Sequence, residues 1–367
     1  MTAPAPIEIP AEQAAALVTR IFIAAGMEES GARRVAQGLV DADLEGLPSH
    51  GVMLAQMYVE RLRSGSVSGR DVTEIVSDRG CAVVLDAGHS FGHVSGDRAM
   101  TLAIERARRV GAGIVAVRHG FHFGAAGAYA RQAADEGCVG VAMCNTRPLM
   151  PAPGGAERVV GNNPIAIAVP TADPIPLVLD MATSEAAMGK IRLAEKAGRA
   201  IPGNWAVQAD GAPTTDAKAA IAGMLLPAAG AKGFGLAFMI DLMCGLLSGG
   251  AIGDEVKPLY GGPSVPYDCS HLFIAIDVAH FCDLDWFKTR AAEAAKRIRS
   301  GKRAAGVQQV FLPGEPEWRK RQSAYGRIAI DPAVAANLVK LASSLKVSAE
   351  PLSGTSISSG GSRNAKA

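Results

Sequence analysis

Residues 113–144 read GIVAVRHGFHFGAAGAYARQAADEGCVGVAMC and decide the fold prediction. The runs 113–117 and 139–144 are short and apolar, which is typical of buried strands. Between them, residues 124–136 place apolar side chains at helical spacing. This alternation of strand and helix predicts an α/β sheet with helices packed on it.

The same analysis extends in both directions from this stretch. Upstream, apolar spacing and turn residues predict helices over 11–25, 30–44, 52–62 and 96–110 and strands over 73–77 and 82–86. Downstream, they predict strands over 165–169, 177–179 and 272–278 and helices over 217–225, 235–247, 283–299 and 332–345. Residues 148–155 and 301–316 are predicted loops because they are rich in glycine and proline.

No clean linker divides the chain, so its domain organisation is an interpretation of the pattern. We expect residues 1–75 to form the N-terminal helical part of a flanking lobe, and residues 76–300 to form an α/β nucleotide- and substrate-binding region. Residues 301–347 are expected to pack back on the N-terminal lobe. The tail 348–367 is rich in serine and glycine and is predicted to be disordered.

Composition limits the classes of function. The chain has 367 residues, 49% of them hydrophobic, which is enough for a large core. Its 37 basic and 35 acidic residues nearly balance, so neither nucleic acid nor a membrane is an expected partner, and a small-molecule substrate is favoured. The first residues lack a basic region followed by an apolar run, so we expect no secretory signal and a cytoplasmic protein.

Six cysteines are scattered along the chain, at positions 81, 138, 144, 244, 269 and 282. They lack the close pairs typical of a zinc site or a compact disulfide framework. No group of histidine and acidic residues has convincing metal-ligand spacing. We therefore expect buried, reduced thiols and no metal.

Two histidine-containing stretches carry the candidate chemistry, LPSHGV at 47–52 and RHGFHFGAAG at 118–127. Each places a histidine beside glycine in a break between helix-like segments, where an imidazole can face a substrate and transfer a proton near neutral pH. His50 is the first candidate, oriented by the Ser49 hydroxyl, and His122 is its rival. A capping or solvent-facing role is the alternative for a lone histidine after a helix. We expect the two stretches to share one active site.

The sequence lacks the usual nucleotide motifs. No Gly-x-Gly-x-x-Gly follows an opening strand, and the Walker lysine motif is absent. Glycine-containing loops at 122–127 and 232–235 directly precede predicted helices, so helix N-terminal amides could receive a pyrophosphate there. Each loop taken singly is also compatible with ordinary turn and cap chemistry.

Six motifs occur in an order that resembles the type 2 malate/L-lactate dehydrogenase family, which includes ureidoglycolate and sulfolactate dehydrogenases, diketogulonate reductase and piperideine-2-carboxylate reductase. The motifs are SHGV at 49–52, HFGxxGxY at 122–129, GNNP at 161–164, LDMATS at 179–184, KGFGL at 232–236 and PGE at 313–315. The resemblance covers roughly residues 10–345. It implies an oxidoreductase that uses NAD or NADP, a cofactor fold other than the Rossmann fold, and a homodimer with sites built partly at the interface.

The resemblance also implies roles for individual residues. The catalytic residues would be His50, Ser49 and His122, because hydride delivery to a 2-oxo or 2-imino carbon requires an acid that supplies a proton to the heteroatom. The cofactor-binding residues would be His122, Phe123, Gly124, Ala125, Ala126, Asp180, Met181, Ala182, Lys232, Gly233, Pro313, Gly314 and Glu315.

Three departures from the family pattern concern the substrate. Leu54 stands where many members have an arginine that resembles a carboxylate clamp, Lys190 stands where some have aspartate, and Asn162 stands where some have threonine. Lys190 or Arg147 could supply the missing positive charge, and the alternative is that both are solvated surface cations. We therefore predict that Asn162, Arg147, Lys190 and Leu54 surround the substrate.

The basic residues near the end of the helix predicted over 283–299 bear on the cofactor. Lys296, Arg297, Arg299, Lys302 and Arg303 could line a pocket for the 2′-phosphate of NADP, or they could be a solvated helix end. The choice between NAD and NADP stays open.

Two classes of function remain. The first is a dehydrogenase or reductase of a small 2-hydroxy or 2-oxo acid, malate- or lactate-like, with a cyclic 2-imino acid as the alternative substrate. The second is a catalytically silent relative that binds a nucleotide or an organic acid, a reading prompted by Leu54 and Lys190. Retention of Ser49, His50 and His122 together favours the enzyme.

Overall fold

The computed structural model describes residues 5–353, which form a mixed α/β structure around a central sheet. The helices are α1 (Ala11–Ala24), α2 (Glu29–Leu44), α3 (Ala55–Arg63), α4 (Gly92–Val110), α5 (Gly127–Asp135), α6 (Met188–Lys196), α7 (Ala217–Ala222), α8 (Ala231–Ser248), α9 (Leu284–Arg299), α10 (Glu315–Ser323), α11 (Pro332–Ser344) and α12 (Glu350–Ser353). The strands are β1 (Ile7–Pro10), β2 (Glu74–Arg79), β3 (Ala82–Asp86), β4 (Ala112–Gly120), β5 (Cys138–Cys144), β6 (Ile165–Val169), β7 (Leu177–Met181), β8 (Ala206–Val207), β9 (Met224–Leu225), β10 (Cys269–Asp277) and β11 (Arg327–Ile330).

The central sheet has seven strands in the order β2-β3-β4-β10-β5-β6-β7. Only the β3–β4 pair is parallel, and the other neighbours are antiparallel. The strands β4 and β5, which flank α5 in the sequence, are separated in the sheet by β10. Local periodicity predicts that these segments are strands, but it carries no information about a partner that arrives much later in the chain.

Both faces of the sheet are covered, as the alternation of side chains along β4 shows. Val115 and Val117 belong to the main core, which includes α4 and α5. Ala116, between them, packs on the opposite face with Ile240 and Cys244 of α8. The helices therefore sandwich the sheet.

The two ends of the described chain meet at a small antiparallel sheet. Strand β1 pairs with β11, with Ile7 opposite Ile330 and Ile9 opposite Ile328. Helix α11 contacts α3, and α12 contacts α1. These contacts join N- and C-terminal segments, while the division into lobes stays a prediction.

Most predicted elements are confirmed to within a few residues, and the exceptions have local causes. The helix predicted over 217–225 ends at Ala222, and the chain continues as strand β9. A Cβ on Gly223, between the two elements, would lie 1.9 Å from the Val207 carbonyl oxygen, so only glycine fits at this position. The prediction missed the helices α6, α10 and α12 and the strands β1, β8, β9 and β11. Each of these strands has two to four residues, too few for a clear period. The predicted loop over 301–316 ends where α10 begins at Glu315.

The predicted tail over 348–367 lies mostly outside the described residues. Within them, residues 350–353 form the short helix α12.

Helix α8 is the most apolar helix of the described chain. By length and composition alone it meets the criteria for a membrane span, which core helices of soluble proteins also meet. Ala237, Ile240 and Cys244 are buried against the sheet. On other faces of the helix, large apolar side chains are exposed, namely Leu236, Phe238, Met239, Leu246 and Leu247.

Candidate active site

The first predicted histidine lies on a short 3₁₀ turn, Pro48–His50, between α2 and α3. Gly46, with φ of 77°, follows the end of α2, and Pro48 begins the turn. The Ser49 hydroxyl is 3.0 Å from His50 Nδ1. Nε2 of the half-buried His50 is therefore the nitrogen left for a substrate.

The carboxylate of Asp43 is hydrogen-bonded to the segment that follows this turn, and the sequence did not single it out. Its Oδ2 accepts a hydrogen bond of 2.8 Å from the Val52 amide. A Cβ on Gly51 would lie 2.0 Å from Asp43 Oδ1, so only glycine fits between the carboxylate and the histidine turn. Burial raises the pKa of Asp43 to about 7, against the opposing effect of the Val52 amide. The only sequence signal was an acid in the last turn of the helix before the motif.

The second histidine stretch follows strand β4 and meets the first. The rings of His122 and His50 are stacked, with centroids 5.5 Å apart and an interplanar angle of 25°. This contact brings the two stretches together, and a shared active site stays a prediction. Their approach follows from packing of Tyr58 against Phe121 and His122 in the loop after β4, and helix α3, which carries Tyr58, lies outside both motifs.

Tyr58 of α3 is a further residue of the site that the sequence did not single out. Its hydroxyl is 2.5 Å from His122 Nδ1, and its side chain is fully buried. Burial raises the pKa of Tyr58 well above its ordinary value, so the phenol stays protonated and its hydrogen is available to Nδ1. With the hydroxyl as the donor, a neutral His122 carries its own hydrogen on Nε2.

The two imidazoles differ in their tendency to hold a proton. Burial lowers the pKa of His50 below its ordinary value. Burial, reinforced by the neighbouring His50, His93 and His271, lowers the pKa of His122 well below its ordinary value. His122 is thus neutral at pH 7, and His50 is the easier of the pair to protonate.

A third histidine, His93, lies against the Tyr58 ring, with centroids 6.0 Å apart. It lies in α4 and is only 2% exposed. Neither ring nitrogen has a hydrogen-bond partner among the described residues. A Cβ on Gly124, whose φ is 78°, would lie 2.7 Å from His93 Nε2, so glycine lets the loop after His122 cross this ring.

The predicted cofactor loops gather around strand β7. Asp180 Oδ2 accepts a 2.7 Å hydrogen bond from the Gly127 amide at the start of α5. The Val178 amide donates to the Pro313 carbonyl oxygen, and a Cβ on Gly314 would touch Val178. Met181 and Ala182, at the end of this strand, are half-buried. Distant segments therefore converge, although the α5 amide that was to receive a pyrophosphate is bonded to Asp180.

The loop between β4 and α5 presents its residues unevenly. Phe123 is buried and stacks on Tyr129 and His271, with centroids 5.1 and 4.6 Å apart. Ala126 is buried and Ala125 is half-buried. Phe123 thus anchors the loop, and His122 is its most polar accessible group.

The first turn of α8, unlike that loop, offers exposed and unpaired polar groups. Lys232 is exposed, and the amides of Ala231, Lys232 and Gly233 have no acceptor in the described part of the chain. The position of a Cβ on Gly230, just before the helix, has nothing within 4 Å. This helix start can accept an anionic group.

Glu315 lies in a buried ion-pair network. Its carboxylate accepts hydrogen bonds from Arg299 at 2.8 Å and from Arg319 at 2.7 Å, and the residue is fully buried. Arg299 also pairs with Asp173 at 2.5 Å. Glu315 and Arg299, both predicted to contact a cofactor, are therefore engaged with other protein groups.

The four predicted substrate residues have different surroundings. Leu54 is 1% exposed and packs in the main core, and Lys190 is exposed on α6. Asn162 accepts a 3.2 Å hydrogen bond from the Thr146 hydroxyl. Arg147 is half-buried, with no hydrogen-bond or ion-pair partner in the described chain.

The surroundings of Arg147 suit an anion. Burial and the nearby charge of Arg158 lower the pKa of Arg147, with a further contribution from Arg192, while Tyr267 opposes the change. Tyr267 packs on Phe121, one residue before His122. An unpaired guanidinium thus interacts with a tyrosine that packs beside the loop carrying His122.

Comparison with known proteins places this geometry in a family. Residues 9–339 match the family described as malate/L-lactate dehydrogenase. A malate dehydrogenase from Pyrococcus abyssi is 38% identical over 317 residues, covering 84% of this chain and 86% of the relative. Relatives whose names state a cofactor include both NAD- and NADP-dependent dehydrogenases.

Two solved structures agree with the fold. Sulfolactate dehydrogenase from Methanocaldococcus jannaschii has a TM-score of 0.89 and 34% identity, over 94% of this chain and 99% of that one. A Δ1-piperideine-2-carboxylate reductase from Pseudomonas syringae pvar. tomato has a TM-score of 0.82 and 30% identity, over 91% and 99% of the two chains. Together with the match over residues 9–339, these likenesses show that the chain belongs to the malate/L-lactate dehydrogenase family.

Proposed function

We propose that the protein is an NAD- or NADP-dependent dehydrogenase that interconverts a small 2-hydroxy acid and its 2-oxo acid. The observation that carries the proposal is the histidine pair, with His50 held by Ser49 and His122 held by Tyr58. Two stacked imidazoles, each with one nitrogen occupied by a hydroxyl, leave two Nε2 atoms for one substrate oxygen.

The residues present fit a dinucleotide. The unpaired amides at the start of α8, with Lys232 and the open position beside Gly230, are suited to its phosphates. The half-buried Met181 and Ala182 would line its path toward His122. We expect it to lie on this mixed sheet rather than on a Rossmann unit, since five of the six strand pairs are antiparallel. When bound, the nicotinamide supplies or accepts the hydride.

His50 is the proton donor in the reduction. As negative charge develops on the oxygen at C2, protonated His50 donates from Nε2, because Nδ1 faces the Ser49 hydroxyl. In the oxidation, neutral His50 accepts the hydroxyl proton. Its lowered pKa favours the neutral form at pH 7 and therefore the oxidation.

His122 is a neutral hydrogen-bond donor in both directions. Tyr58 fixes the tautomer with hydrogen on Nε2, which stabilises the developing oxyanion without transferring the proton. Its strongly lowered pKa makes it the weaker acid–base candidate of the two.

Arg147 is the proposed carboxylate clamp. It is half-buried and unpaired, whereas Lys190 is exposed and Leu54 is in the core. A guanidinium binds a carboxylate through two parallel hydrogen bonds, and partial burial strengthens the pair.

A cyclic 2-imino acid is the second candidate substrate. Its single carboxylate needs a single clamp, and Arg147 is half-buried and has no partner in the described chain. A malate-like substrate would require a second clamp beside the first.

We further propose a cytoplasmic homodimer in which α8 lies at the interface. Five large apolar side chains of α8 are at least a third exposed, and a monomer rarely leaves so apolar a helix in water. Light scattering on the purified protein tests this, and substituting Phe238 and Leu246 by serine should yield monomers.

The deciding experiment follows NADH and NADPH oxidation with a panel of 2-oxo acids, with and without an amine, and with preformed cyclic imino acids. We expect turnover with one class, lost by at least a hundredfold in His50→Ala and retained in the control His280→Ala, an exposed histidine just beyond the far end of β10. Unchanged turnover in His50→Ala would refute the assigned donor. Nucleotide binding without turnover on any substrate would favour a silent binding protein.

A further inference from the structure

Two thiols and an imidazole meet where β5 and β10 pair, next to residues 121–126 between β4 and α5, here called the active-site loop. His271 lies opposite Cys144 in the strand register, and Cys269 lies two residues before His271. Cross-strand partners and residues two apart share one face of a sheet, so the three side chains point the same way. Cys269 and His271 are fully buried and Cys144 is 3% exposed. Sequence spacing could not predict this group, because one of its cysteines is on another strand.

The separations within the group suit one metal ion. Cys269 Sγ and His271 Nε2 are 3.2 Å apart, and one ligand atom from each of the three residues lies within 4.8 Å of the others. A cation bound at about 2.3 Å from sulfur and about 2.0 Å from nitrogen separates two sulfurs by about 4 Å and sulfur from nitrogen by about 3.5 Å. The side chains need only small movements to reach this geometry.

The chemistry of the group also favours a cation. His271 Nδ1 is buried and has no hydrogen-bond partner among the described residues. A buried imidazole whose one polar contact is a thiol is poorly satisfied by the protein alone.

We propose that Cys144, Cys269 and His271 bind one thiophilic cation with a filled d shell, of which Zn²⁺ is the common biological example. Two thiolates and one imidazole are the donor set that such ions prefer, and calcium or magnesium would be excluded by it. Binding of a divalent ion releases the two thiol protons to solvent, so the site becomes neutral overall.

The His271 ring contacts the segment that carries His122. Phe123 stacks on the His271 ring at 4.6 Å with an interplanar angle of 8°, and Phe123 follows His122. A Cβ on Gly120 would lie 2.8 Å from the same ring. Fixing His271 by coordination therefore fixes the base of the loop that carries His122.

The test uses Zn²⁺ and Cd²⁺ as probes on the full chain under reducing conditions. The protein is unfolded, stripped with a chelator and refolded with each metal, because the site is closed in the folded state. We expect one tightly held ion per chain, an ultraviolet thiolate-to-Cd²⁺ absorption band, and a higher melting temperature. Cys144→Ser, Cys269→Ser and His271→Gln should each lose all three signals. The matched control is Cys81→Ser, which removes an exposed thiol and should retain them.

Two outcomes overturn the proposal: a wild-type chain that refolds with metal but retains none, or bound metal that survives in the Cys144→Ser/Cys269→Ser double variant and disappears in Cys81→Ser. If a site variant fails to fold, the wild type still decides the question. Alkylation during partial unfolding, followed by mass spectrometry, should show Cd²⁺ protecting Cys144 and Cys269, and equal labelling with and without Cd²⁺ would contradict the site. None of these measurements depends on dehydrogenase activity.

Discussion

Replacing Tyr58 by phenylalanine tests how His122 is set for catalysis. The substitution removes the hydroxyl that lies 2.5 Å from His122 Nδ1 and leaves the buried ring in place. A buried acceptor without its donor costs about 1–3 kcal/mol. Because His122 is half-buried and water can replace part of the lost bond, we expect about 1.4 kcal/mol, which corresponds to about a tenfold fall in kcat.

The control for this substitution is Tyr129→Phe. The Tyr129 hydroxyl is also buried and donates to the Phe123 carbonyl oxygen at 2.6 Å, one residue from His122. Both variants should lose similar stability in urea unfolding, but only Tyr58→Phe should lose kcat, with little change in the KM for the acid. An equal fall of kcat in both variants, or none in Tyr58→Phe, would show that the hydroxyl does not set the histidine tautomer.

Three further predictions follow from the site. Because the pKa of His50 is lowered, oxidation of the 2-hydroxy acid should rise with pH through a value below 6.5 and reduction should fall through it, and His50→Gln should flatten both profiles in steady-state kinetics. Arg147→Ala should raise the KM for the acid at least tenfold, since it removes an unpaired guanidinium, whereas Lys190→Ala should leave it within twofold; equal effects would place the clamp elsewhere. Gly51→Ala should destabilise the fold by about 1–3 kcal/mol through its clash with Asp43, and Asp43→Ala in the same chain should recover part of this loss in thermal melting; no recovery would mean that the clash is not the cause.

Local patterns in the sequence determined the elements of the fold and the identity of the reactive groups. The spacing of apolar residues predicts helix α2 and strand β6, because this spacing reflects which side chains are buried. The Ser49–His50 turn follows from glycine and proline at fixed positions beside it. Such features depend on neighbours within a few residues, so a single sequence contains them.

Tertiary structure decided which of these groups act together. The pairing of β10 between β4 and β5 and the bond from Tyr58 to His122 both join residues far apart in the chain. The same is true of Cys144 beside Cys269 and His271. Periodicity states that a side chain is buried but not what it meets there, because the partner is selected by packing of the whole core.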